Sequence, residues 1–102
     1  MDIQQIKIKN MESERGNSIP NQFIIRVKTN TKDQVGFDSV YFQSYNSIIA
    51  CRDYKGNTVL DENYWDYSRT TGKYRNLFLS ENKVETQRKI RLGVYKLADL
   101  NK

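Results

Sequence analysis

The chain has 102 residues, 37% of them hydrophobic, with a net charge of +5, one cysteine and no histidine. That length suits a single domain with a modest core and is too short for two independent ones. One thiol without histidine excludes an intramolecular disulfide, a thiolate metal site and a Cys/His nucleophile pair, and points to a reducing compartment.

The pI near 9.4 reflects an uneven charge distribution. Residues 1–51 carry six Lys/Arg against five Asp/Glu, and residues 52–102 carry eleven against seven. The C-terminal half is therefore the basic half, which favours an anionic partner, with a solvated basic surface as the plain alternative. Seven of the twelve aromatics are tyrosines, suited both to an aromatic core and to a surface that binds. No apolar run approaches the roughly 20 residues needed to cross a bilayer, and Met1 to Gln5 lacks a signal-peptide pattern, so a cytoplasmic setting without membrane partners is expected.

Along the chain, Ile3, Ile6 and Ile8 lie in a polar, partly alternating stretch that fits a strand or an arm. Met11 to Pro20 has loop composition, which divides the chain into an N-terminal arm or strand plus loop at 1–20 and a single α+β domain at 21–102. Phe23, Ile25 and Val27 alternate with Ile24, Arg26 and Lys28, the period of a strand with one buried face. The polar segment Thr29 to Asp38 leads to a second strand at Ser39 to Tyr45. A third follows at Ile48 to Arg52, with Cys51 as a small buried hydrophobe, then a turn at Tyr54 to Asn57 and a short strand at Thr58 to Leu60.

Beyond Asp61 the period changes. Tyr74, Leu77 and Phe78 mark the apolar stripe of a helix whose N-cap is Ser68, Thr70 or Thr71. Asn82 and Glu85 are spaced as a capping box for a second helix, which Gly93 would stop, and Val94 to Leu100 is a last strand or an extended tail. The expected fold is α+β: an antiparallel sheet of about four strands with two short C-terminal helices.

Catalytic chemistry finds little support. Asp61, Glu62 and Asp66 with Glu81 or Glu85 offer oxygen ligands for magnesium, but in no recognisable spacing. Gly72-Lys73 lacks the preceding glycine and following hydroxyl of a triphosphate loop. No cofactor or metal and no enzymatic activity is expected. Anion binding fits better: the helix start carries free N–H groups and a favourable dipole beside Arg69, Lys73 and Arg75. Arg88, Lys89 and Arg91, flanked by Lys83 and Lys96, form a second cluster. The expected partner-binding residues are Tyr67, Arg69, Thr71, Lys73, Arg75, Arg88, Lys89 and Arg91. The competing reading makes the threonine a plain cap, Trp65 and Tyr67 core aromatics, and the cations a solvated face.

Gly16 to Ile25, Tyr41 to Ala50, Leu60-Asp61, Trp65 to Asn76 with Phe78-Leu79, and Gly93 to Asn101 together resemble a group of small proteins encoded by phages and prophages of low-GC Gram-positive bacteria. The resemblance spans residues 16–101 and brings no catalytic or ligand residue with it. It implies an origin in a mobile element and action inside the host cell. The function it suggests is a non-enzymatic inhibitor of a host defence complex, most concretely an anti-CRISPR protein that binds an effector nuclease or its nucleic acid. The alternative is a basic DNA- or RNA-binding accessory protein of phage replication or expression.

Overall fold

A computed structural model describes residues 3–29 and 38–102. The elements are β1 (Ile3–Glu12), β2 (Ser18–Thr29), β3 (Ser39–Ser44), β4 (Ser47–Asp53), β5 (Thr58–Asp61), α1 (Arg69–Leu79), α2 (Lys83–Arg91) and β6 (Tyr95–Ala98). The six strands form one sheet in sequence order, antiparallel throughout except for β5 and β6, which are parallel. The expected four-stranded antiparallel sheet is therefore wrong in both number and direction, although strands and helices do coexist in the α+β manner. Most of the Thr29 to Asp38 connection lies outside the described residues.

The two extra strands have separate physical origins. At the N-terminus, Ile6-Lys7-Ile8-Lys9 alternates with period two and pairs with Val27, Arg26, Ile25 and Ile24, making β1 and β2 a long hairpin rather than an arm. Its loop is closed by hydrogen bonds from the Ser13 N–H to the Asn17 carbonyl (2.8 Å) and from the Gly16 N–H to the Ser13 carbonyl (2.9 Å). Pro20 is tolerated inside β2 because the pairing jumps there from Asn10↔Phe23 to Glu12↔Ser18, leaving an irregular stretch that needs no N–H from it. At the other end, α1 and α2 carry the chain back so that β6 runs beside β5 in the same direction, which a parallel pair requires of its connection. Gly93, at φ +76°, ends α2, and the Val94 N–H bonds back to the Lys89 carbonyl at 2.9 Å.

Cross-strand partners share a face of the sheet. One row runs Lys7–Arg26–Val40–Arg52–Thr58–Tyr95, and the next on that face is Lys9–Ile24–Phe42–Ala50–Leu60–Leu97. The core sits here, where Ala50, Leu60, Leu79 and Tyr95 pack with Trp65, Phe78 and Ile90, and Phe42 stacks on Phe78 at 5.8 Å between centroids. α1 lies over β3 and α2 over β6, so the helices cover one end of this face only. The opposite face carries Ile8, Ile25, Tyr41, Cys51 and Val59, with Ile8 64% exposed. Cys51 is thus only partly buried. Burial pushes its thiol up, against a hydrogen bond from Tyr41 that pulls it down.

Ser68 is the N-cap of α1, its Oγ accepting the Thr71 N–H at 3.1 Å, and Asn82 caps α2 by accepting the Glu85 N–H at 2.9 Å. The apolar stripe of α1 departs from expectation. Its buried residues are Thr71, Gly72, Arg75 and Leu79, while Leu77 is 57% exposed and Tyr74 only partly covered. Helical periodicity located the helix but misjudged its rotation, because an arginine and a threonine occupy the inward face.

Candidate anion-binding site

α1 is capped by Ser68 and has no acidic side chain in its first turn, so the helix supplies no carboxylate of its own to its positive dipole end. Residues 69, 72, 73 and 76 stand at i, i+3, i+4 and i+7 and share one flank of the helix. Across from that flank lie Asp66 and Lys83. Together with Ser68 and Arg75 these residues line an open cleft of about 650 Å³. Four of its lining residues are cations and one is a carboxylate.

The eight expected binding residues have different fates. Arg69 and Lys73 are exposed on the cleft, with the Lys73 ammonium 5.3 Å from the centroid of the Tyr74 ring. Tyr67 is 67% exposed and packs edge-on against Tyr64. Thr71 must be corrected: it is 1% exposed, and its hydroxyl lies 2.9 Å from that of Ser44, tying α1 to β3. Arg75 must also be corrected, at 1% exposed. Its guanidinium donates to the Trp65 carbonyl (2.9 Å), Asp66 Oδ1 (3.1 Å) and Asn76 Oδ1 (2.9 Å), and lies 5.3 Å from the Trp65 ring centroid. It organises the cleft floor and presents no free charge.

The second cluster is largely neutralised. Arg88 pairs with Glu85 at 2.6 Å, and Lys89 with the buried carboxylate of Glu81 at 2.7 Å. Glu81 also accepts from Thr86 (2.6 Å) and Tyr95 (2.8 Å), so Lys89 belongs to a junction of α2 and β6 rather than to a docking surface. Burial pushes the Glu81 carboxyl up, but the hydrogen bonds from Lys89, Thr86 and Tyr95 more than offset it and hold it below the usual range. Asp66 behaves likewise: burial raises it, while Lys83, at 2.7 Å, and Arg75 bring it down. Arg91 is exposed and forms no ion pair among the described residues.

The magnesium-site residues do not converge. Asp61 is fully buried and accepts the N–H groups of Asn63 (3.0 Å), Tyr64 (2.9 Å) and Leu100 (2.7 Å), a structural clasp between β5 and the C-terminal segment. Among the described residues no group of three or more acidic or thiol side chains is placed to hold a metal.

Sequence reasoning missed Lys7, Lys9, Arg26 and Lys28, which the β1–β2 register puts on one face of the hairpin. The signal was available in the alternation of Ile6-Lys7-Ile8-Lys9 with Ile25-Arg26-Val27-Lys28. Counting charge by halves concealed it, since five Asp/Glu offset six Lys/Arg over residues 1–51 as a whole.

A two-layer protein with a six-stranded sheet, helices on one side and a cationic cleft on α1 is what the fold and site define. No helix in the described residues is long and apolar enough to cross a membrane. The family model that matches residues 6–93 is a family of unknown function, DUF8033, and the chain belongs to that family. No curated protein and no solved structure matches it.

Proposed function

We propose that the chain is a non-enzymatic binding protein whose ligand is an anionic macromolecule, nucleic-acid backbone foremost. The observation that carries this reading is the α1 cleft, where Arg69, Lys73 and Lys83 border a groove lined, among the described residues, by a single carboxylate. The start of α1, with no acidic side chain in its own first turn, adds to the attraction, and cations held on a helix flank can follow successive phosphates without altering them. The resemblance to small phage proteins supports a narrower setting: the cytoplasm of an infected host, with the guide or target nucleic acid of a defence complex, or that complex itself, as target. A CRISPR effector is the concrete version.

The test is fluorescence anisotropy with a labelled 20-nucleotide single strand and a 20-base-pair duplex at low and moderate salt. Affinity should fall steeply with salt, and Arg69→Glu with Lys73→Glu should abolish it at unchanged stability. A flat titration of the wild-type chain at low salt overturns the reading. Capture of a CRISPR effector with and without guide RNA tests the narrower version, which fails if neither form is retained and targeted phage gain no protection.

A further inference from the structure

The β1–β2 hairpin is amphipathic, and its apolar side does not face the core. The pairing that sets Lys7, Lys9, Arg26 and Lys28 on the helix side of the sheet sets Ile6, Ile8, Phe23, Ile25 and Val27 on the other. The core of Ala50, Leu60, Leu79 and Tyr95 lies under the helices, on the first side. On the second, Ile6 is 51% and Ile8 64% exposed, and Phe23, Ile25, Val27, Tyr41, Cys51 and Val59 are each only partly buried. A sheet covered on one face ordinarily turns its polar residues to water. Here the period-two pattern turns isoleucines and a valine outward, a conflict between local pattern and single-chain fold that marks a surface with another use.

Three rows build this outer face: Ile6–Val27–Ser39–Asp53, Ile8–Ile25–Tyr41–Cys51–Val59–Lys96 and Asn10–Phe23–Gln43. Across β1, β2 and β3 these rows hold no charged side chain, and Asp53 and Lys96 stand at the margin with opposite signs. The face is thus neutral on a chain of net charge +5. A charge-free centre with aromatic members inside a polar margin is the make-up of an interface core. An anionic partner finds one lysine here, and a cationic one finds only Asp53, whose Oδ1 already accepts the Lys55 and Asn57 N–H groups at 2.9 Å each. A second copy brings the same neutral, β-branched surface, so two can meet with no charge opposed at the centre.

We propose that this outer face is where two copies of the chain stack, sheet on sheet, in a reversible two-fold dimer. An isologous contact needs a patch that complements itself, which a flat apolar sheet face does. Stacked sheets lie about 10 Å apart with their strands about 30° off parallel, close enough for Ile8, Ile25 and Tyr41 to interdigitate with their counterparts. Each outward side chain on a sheet occupies about 33 Å² of plane, so the thirteen in the three rows cover about 430 Å² per copy. Side-chain relief adds to that, and a pair buries on the order of 1,000 Å², the size at which specific interfaces begin and associate weakly. The helices then lie on the two outer sides, with one α1 cleft on each. The dimer is independent of the anion-binding reading, because the cleft and the outer face share no residue.

Sedimentation equilibrium of the full chain from about 1 to about 500 µM tests the dimer, a span that brackets interfaces near 1,000 Å². The weight-average mass should rise from 12.1 kDa toward twice that value. Ile8→Lys with Ile25→Glu puts two charges into the stack while forming an opposite-charge cross-strand pair within each copy. It should weaken dimerisation by about tenfold or more and leave the melting temperature of the dilute chain unchanged. Leu92→Lys with Val94→Lys, at exposed apolar positions outside the face, should dimerise as the wild type does, and so should Arg69→Glu with Lys73→Glu. Alkylation of Cys51 by iodoacetamide is a readout that needs no variant, and its rate constant should fall as the wild-type chain is concentrated past the dimer midpoint. A monomer throughout the range overturns the inference, as does a dimer that survives Ile8→Lys, Ile25→Glu or that Leu92→Lys, Val94→Lys disrupts. If the Ile8→Lys, Ile25→Glu chain fails to fold, a Cys51 rate independent of concentration overturns the inference in its place.

Discussion

Replacing Arg75 by alanine separates the two roles open to a cation in this chain. Its guanidinium has three hydrogen-bond partners and a ring contact at 1% exposure. Removal leaves the Trp65 carbonyl and the Asn76 amide oxygen without their donor, and opens space beneath α1 where the long side chain was packed. Breaking a buried pair costs about 3–5 kcal/mol. Asp66 moderates this, because its side chain is 33% exposed and keeps Lys83 at 2.7 Å, so its charge is not stranded. The lower end, about 3 kcal/mol, is the expected loss. For a domain of this size that lowers the melting temperature by about 12 °C or more. Circular dichroism melts and urea titrations with an unchanged m-value measure it. A melting temperature within about 3 °C of wild type, combined with lost oligonucleotide binding, refutes the reasoning and returns Arg75 to the binding surface.

Two further outcomes follow from carboxylates held by hydrogen bonds and ion pairs. Glu81 and Asp66 are both held below ordinary values of 4.5 and 3.8, so the stability they contribute is complete above those values and is lost as pH falls through the lower folded-state ones. Urea midpoints should be level from neutral pH to about pH 5 and then decline, and Glu81→Gln should decline less steeply; a wild-type slope in that variant contradicts the assignment. Asp61→Ala leaves three backbone N–H groups without their acceptor and should cost about 2–4 kcal/mol in urea unfolding. A stable Asp61→Ala chain that has lost a magnesium-dependent nuclease signal reverses the structural reading.

Local chemistry proved legible wherever it acts over a few residues. Asn82 as a cap, Gly93 as a stop, and the strand at Phe23 to Lys28 follow from amide geometry, backbone freedom and period-two alternation, which act within one turn or strand, whereas the α1 cap was narrowed only to Ser68, Thr70 or Thr71, of which the structure uses Ser68. The sequence grouped Arg69, Lys73 and Arg75 at a helix start; that Arg69 and Lys73 border a cleft is a fact of the structure.

Quantities that depend on what lies across space were not legible. Arg75 resembled its neighbours in composition, and only the packing of α1 against the Trp65-Asp66 segment turned it inward. Lys89 looked like part of a basic face until Glu81, eight residues away, closed on it. The parallel β5–β6 pair and the cationic hairpin face likewise arise from which strands meet and in what register, a choice made by burial of the whole sheet. Types and ends of elements are set by short-range backbone and side-chain preferences carried in the sequence. Which charges are free to act was decided by the tertiary structure, because a side chain's exposure and its counter-charges come from residues distant along the chain.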